Sequence, residues 1–318
     1  RKRLFGSAKK LIVKAEKLAV KSYRYYYWGI ILSLKQEVMV AEANLEEMDN
    51  YPNSNYLDEA KYTDILKNII DYNKLNTQVA GYMNARFVIT DNVQKELSAL
   101  LKSTLLKNEK RAISLPSRLK YHTVKGDIFL LLRGWNESRL HYKKSIRLME
   151  QTPSWLKNEV ELYLVIMNRL SITLSRLNKP DELTTLFHNV QHFIKQLPGK
   201  QQSGSIYKIY LAININYFGH LLRRVNIKEA LKQGEHSAFY LRKYYNPHSF
   251  LVFHSYYFLL CFYLNEPRKA LHHINEILNT GRSNIRQDLV NAARILNLVV
   301  HYELGNGQVL PSLYKSAY

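Results

Sequence analysis

The chain has 318 residues, 46% hydrophobic and 23% charged, with a net charge of +20. This is too apolar for a disordered chain, and 12 Gly and 8 Pro, about half the usual share, fall as isolated punctuation between long periodic stretches, which points to helices. A single cysteine, Cys261, excludes an intramolecular disulfide framework and a Cys-rich zinc site, and fits a reducing compartment such as the cytoplasm.

Residues 1–24 hold nine basic and one acidic side chain. Within them Ala8, Ile12 and Ala15 form an i, i+4, i+7 stripe that predicts a helix over 4–21, read as the closing helix of a hairpin whose first helix lies upstream of Arg1. Residues 25–99 reverse the sign, with six basic and eleven acidic residues. A long helix is expected over 23–48, ended by Asp49-Asn50-Tyr51-Pro52-Asn53, then a partner over 57–75. Two more helices follow between 76 and 109, with a break near Thr90-Asp91-Asn92. Tyr25, Tyr26, Tyr27 and Trp28 wrap more than one helical turn, so they cannot all face one core. Residues 1–112 are therefore expected to be atypical helical repeats, the first unit truncated, that merge into a regular array over 113–318.

That array has a period. Leu119 to Leu148 reads as a helix with Gly126 in its middle, a break at Arg133-Gly134-Trp135-Asn136, and a second helix whose inward stripe is Ser138, Tyr142 and Ser145. Equivalent stripes recur as Leu183, Phe187 and Val190, as Ala230, Gly234 and Ser237, as Ala270, Ile274 and Ile277, and as Leu310, Tyr314 and Ala317. Each follows a polar break, at Asn178-Lys179-Pro180-Asp181, Arg224-Val225-Asn226, Asn265-Glu266-Pro267 and Gly305-Asn306-Gly307. Pro180 and Pro267 suit a helix start, where a missing N–H costs nothing. Gly126, Phe129, Ser138, Tyr142 and Ser145 resemble the tetratricopeptide repeat, whose unit has a small residue and an aromatic on its first helix and an Ala-x3-Phe stripe on its second. At the glycine position the other units carry Ser171, Phe218, Phe258 and Leu298, and the stripes recur every 40 to 47 residues against the family's 34. The resemblance implies an all-α, right-handed α-solenoid of five antiparallel hairpins, the last truncated, in one continuous superhelix.

Signatures of chemistry are sparse. His188 and His192 could share one helix face, but the intervening Asn189-Val190-Gln191 lacks the glutamate of a zinc metallopeptidase helix. His272 and His273 diverge around a helix, so one is expected half-buried and one solvated. Gly199 to Ser205 has the residues of a phosphate loop in the wrong order, and Cys261 lies in an apolar run where burial suppresses thiolate chemistry. No enzyme, cofactor or metal is expected. The longest apolar window, from Phe250 to Leu264, is interrupted by His254 and Ser255, and no membrane insertion follows from it.

A stacked-hairpin array offers the face of its first helices to an extended partner. In that register the groove candidates are Lys120, Asp127 and Leu130, then Asn168 and Arg176, Asn216, His220, Arg223 and Arg224, Ser255 and Phe262, and Tyr302. Asn168 and Asn216 fall at nearly equivalent places, and a row of carboxamides can bracket a peptide backbone while arginines hold acidic groups. The expected function is a non-catalytic scaffold for a protein or peptide. The alternatives are a nucleic-acid or polyanion binder, motivated by the charge and 24 Tyr, and the sensory region of a larger regulator.

Overall fold

The computed structural model describes residues 2–42, 45–84, 89–280 and 286–317, and among them there are only helices and turns. The α-helices are α1 (Lys2–Lys21), α2 (Tyr25–Glu42), α3 (Leu45–Asn84), α4 (Asp91–Leu101), α5 (Thr104–Lys107), α6 (Leu115–Leu131), α7 (Trp135–Glu150) and α8 (Pro153–Leu156). They continue as α9 (Val160–Arg176), α10 (Pro180–Gln196), α11 (Gly204–Arg223), α12 (Ile227–Lys243), α13 (Pro247–Tyr263), α14 (Pro267–Leu278), α15 (Gln287–Glu303) and α16 (Leu310–Ala317). Two compact units emerge: residues 1–82, 90–128 and 144–159, and residues 83–89, 129–143 and 160–318.

In the first unit α1 packs on α2, and Ala19, Tyr25, Trp28, Leu32 and Ile65 close a small core. The four aromatics divide as their spacing requires: Tyr25 and Trp28 are buried, whereas Tyr26 and Tyr27 are exposed. Trp28 Nε1 donates to Glu16 at 3.1 Å and meets the Tyr62 ring edge-on at 5.7 Å. Gly29 lets α2 approach α3, because a methyl group there would collide with the Tyr62 phenol. The expected stop at residues 49–53 is absent: α3 runs unbroken from Leu45 to Asn84. A proline removes one backbone bond and strains the preceding turn without ending a helix that packing holds downstream, and Pro52 lies near the start of α3. Downstream, Ile65, Tyr72, Leu75 and Val79 are all buried at i, i+7, i+10 and i+14. The break at residue 90 is present, and Thr90 caps α4 by accepting from Val93 N. Asn68 anchors α3 to the following turn, donating to Arg111 O at 2.9 Å and accepting from Ile113 N at 3.2 Å.

The second unit shows how the periodic breaks work. Arg133, Asn178, Val225, Asn265 and Gly305 all adopt positive φ, between 51° and 72°, each just past the end of a helix. In every case the next residue's N–H reaches back five residues: Gly134 to Phe129, Lys179 to Leu174, Asn226 to Leu221, Glu266 to Cys261 and Asn306 to His301, at 2.8 to 3.0 Å. This left-handed cap satisfies carbonyls that a helix end leaves open and reverses the chain into the next helix. Tyr23 makes the same turn in the first unit, with Arg24 N on Ala19 O, so α1 is tied to α2 by the link that elsewhere follows a first helix.

Packing follows a fixed rule. First and second helices pair within each hairpin (α9 with α10, α11 with α12, α13 with α14, α15 with α16), and each second helix packs on the next first helix. First helices also touch in succession, α9 with α11, α11 with α13 and α13 with α15. The stripes read from sequence supply the seam: Ser138, Tyr142 and Ser145, Leu183, Phe187 and Val190, Ala230 and Ser237, and Ala270, Ile274 and Ile277 are all at most 3% exposed. In the last hairpin Leu310 is half-buried, Tyr314 is exposed, and the Ala317 side chain lies outside the described residues. Volume is conserved across the seam, since bulky Phe218 faces Gly234 and Phe258 shares a cluster with Ala270.

Candidate interaction surface

The surface of interest is built by α9, α11, α13 and α15, whose mutual contacts fix which side chains remain outside. Asn168 and Asn216 meet: Asn216 Nδ2 donates to Asn168 Oδ1 and to Ser171 Oγ, both at 3.0 Å. The carboxamides therefore hold α11 against α9. At the end of α11, Arg223 donates to Ser175 Oγ, the residue before Arg176 in sequence, and Arg176, Arg223 and Arg224 are all exposed. His220 is buried, and burial followed by the two neighbouring arginines pushes its imidazole below the ordinary range. Asp127 is also buried, so neither it nor His220 stands on an open surface. Each falls on the side of its helix turned toward neighbours. Lys120 is half-exposed, Ser255 donates to Leu251 O within its own helix, and Tyr302 is 72% exposed.

Beyond Arg223 the surface turns apolar. Tyr256 of α13 covers Gly219, where a methyl would strike its ring, and the same tyrosine lines a cavity of about 220 Å³ enclosed by α13, α14 and α15. Leu259, Ile277, Leu289 and Leu296 form its walls, with Ser255 at its edge. On α13, Leu259 (42% exposed), Phe262 (41%) and Tyr263 (54%) are exposed apolar side chains, as are Ile295 (62%) and Val299 (41%) on α15. Sequence periodicity gives no sign of Leu259 or Tyr263, because α13 is apolar almost all round and its faces cannot be told apart by pattern.

Titratable groups elsewhere do not converge on this surface. His254 and His273 form a pair between α13 and α14, Nδ1 to Nδ1 at 2.9 Å, with the Tyr257 ring 4.7 Å from His273. Burial, reinforced by neighbouring imidazoles, pushes them down to about 3 and about 4. His272 is exposed and His273 half-buried, the division expected from their spacing. His192 pairs with Gln196, and the Gly199 to Ser205 segment is a short 3-10 turn followed by the Ser203 cap of α11. Cys261 is buried and its thiol is pushed up to about 11, chiefly by burial. Among the described residues no group of three metal-ligating side chains occurs, and no helix is long and apolar enough to cross a membrane. No protein-family model and no curated protein matches the chain.

Proposed function

We propose that the chain is a non-catalytic scaffold, a right-handed solenoid of tetratricopeptide-like hairpins that binds a protein or peptide segment along its first helices. The observation that carries this reading is the group of exposed apolar side chains Leu259, Phe262 and Tyr263 at the C-terminal end of α13, of which Leu259 also lines the 220 Å³ cavity. Contiguous exposed apolar side chains rimmed by polar ones mark interaction sites more often than isolated ones do. The identical left-handed caps and the succession of first-helix contacts support the repeat architecture. The partner best suited to the surface carries a large apolar anchor for the cavity and an acidic residue for Arg176, Arg223 and Arg224, which offer forked donors to a carboxylate.

Selection of peptides from a displayed random library tests this. Enriched sequences should share an apolar anchor flanked by Asp or Glu and should bind Phe262→Asp at least tenfold more weakly. Failure to enrich any sequence, or equal binding to that variant, refutes the groove.

A second reading has one observation in its favour. Lys10, Lys14, Lys17 and Lys21 lie along one exposed stripe of α1 and make no ion pair among the described residues, the footprint of a polyanion contact. Salt-dependent binding to a generic duplex that is lost on reversing these four charges would establish it. Undetectable binding at low salt would remove it.

A further inference from the structure

In the first unit, the end of α4, the short α5 and the middle of α6 surround a cleft of about 400 Å³ lined by Leu101, Lys102, Leu106, Lys107 and Lys125. Three lysines and two leucines line it, with no acidic residue among the lining residues. Lys102 and Lys107 are exposed and make no ion pair among the described residues. Lys125 is half-buried at the inner side, its Nζ donating to Tyr121 Oη at 3.3 Å and to Leu106 O at 3.4 Å, and 5.2 Å from the Tyr121 ring centre. Its acidic neighbour, Glu109, is already engaged by His122 at 3.1 Å and by Lys144 at 4.0 Å.

We propose that this cleft is an anion site that takes a phosphate or carboxylate group between Lys102, Lys107 and Lys125. A cation partly drawn out of water without a full counter-charge, as Lys125 is, is unfavourable, and an anion entering the cleft compensates it while also meeting the exposed Lys102 and Lys107. Burial, followed by repulsion from Lys144, already holds the Lys125 ammonium below its usual range, in keeping with an unmet need for negative charge. The leucine walls lower the local dielectric and strengthen the attraction at short range. Lysine binds phosphate as a point charge and needs no forked geometry, which suits three flexible stems borne by separate segments around one cleft.

Calorimetric titration of the full chain with inorganic phosphate and, separately, with acetate at fixed ionic strength tests the site. Saturable binding is expected, weakened at least tenfold both by Lys125→Met and by the exposed pair Lys102→Gln with Lys107→Gln. The pair guards against a folding defect in the first variant. Methylation of Lys125, followed by mass spectrometry, should slow at least fivefold at saturating anion. Tighter binding of phosphate assigns a phosphoryl ligand, and tighter binding of acetate a carboxylate. Absence of saturable binding with either anion, or binding unchanged in both variants, overturns the proposal.

Discussion

Gly234→Ala should expose the volume compensation between consecutive helices. A Cβ at 234 would stand 3.0 Å from Tyr257 Cε2 and 3.2 Å from Phe218 Cζ, tighter than ordinary van der Waals contact. Phe218 is 0% exposed, with the rings of Tyr257, Tyr256 and Phe253 at 5.8, 6.1 and 6.2 Å, so its ring has little room to yield. Overpacking of this kind costs about 1–3 kcal/mol, whereas Ala over Gly inside a helix gains about 1 kcal/mol. The net expectation is a loss of about 0–2 kcal/mol in the native background. Phe218→Leu removes one of the two crowding rings and leaves Tyr257, so part of the overpacking is relieved and Gly234→Ala made on that variant should be about 1–2 kcal/mol less unfavourable than in the native chain. The coupling between the two sites is thus about 1–2 kcal/mol, well beyond the few tenths seen between independent positions. Urea unfolding of the four proteins of the cycle measures it directly. If Gly234→Ala changes stability equally in the native chain and in the Phe218→Leu variant, the packing argument fails.

Acid should act through the buried imidazole pair. His254 and His273 have folded values of about 3 and about 4, below the ordinary 6.5, so the unfolded chain takes up their protons first. Their contribution to stability is complete above about pH 6.5 and is lost as pH falls toward 4, by up to about 1.4 kcal/mol per pH unit for each proton. A urea series from pH 8 to 4.5 should show this slope and should flatten in His254→Gln, and an unchanged slope would contradict it. Cys261, 2% exposed, should resist a thiol reagent in the native protein and react fully in denaturant, and rapid native labelling would show the α13 core to be open. Asn216→Ala removes the two bonds that join α11 to α9 and should cost about 1–2 kcal/mol in thermal or urea unfolding. Glu182 accepts from Arg139 and Lys143 at 2.6 to 3.0 Å but remains 31% exposed, so Glu182→Gln should cost no more than about 1 kcal/mol and should lose that cost at high salt.

The second helices were legible because each has one apolar flank and one solvated flank, so a period of 3.6 survives in the residue pattern. Leu183, Phe187 and Val190, for example, are at most 3% exposed, while the intervening His188 and Asn189 face solvent. First helices are contacted on several sides, and there the pattern fades. Alignment on the left-handed residues Asn178 and Val225 puts Asn168 and Asn216 one residue out of step, which makes them diagonal neighbours across α9 and α11 and places them in bonding distance. At Pro52 the local signal was overruled by packing further along α3, a term that no window around the proline contains. The lysine cleft and the imidazole pair draw residues from separate helices, and their proximity exists only after folding.

The bonded asparagines also change where affinity must come from. With Asn216 Nδ2 committed to Asn168 Oδ1 and Ser171 Oγ, recognition in the proposed groove falls to apolar contact, supplemented by the arginines. Leu222, Phe262 and Tyr302 occupy one register, each three residues before a left-handed cap, and their exposures are 2%, 41% and 72%. Phe262 is the informative member, because α15 is already packed against α13 and yet leaves much of the ring in solvent. Folding gains from the covered part of the phenyl group and nothing from the 41% left in solvent, since hydrophobic stabilisation scales with the area removed from water. On the proposed reading the ring gains its remaining burial from a partner, and Phe262→Ser should then weaken partner binding by more than its cost to the fold explains.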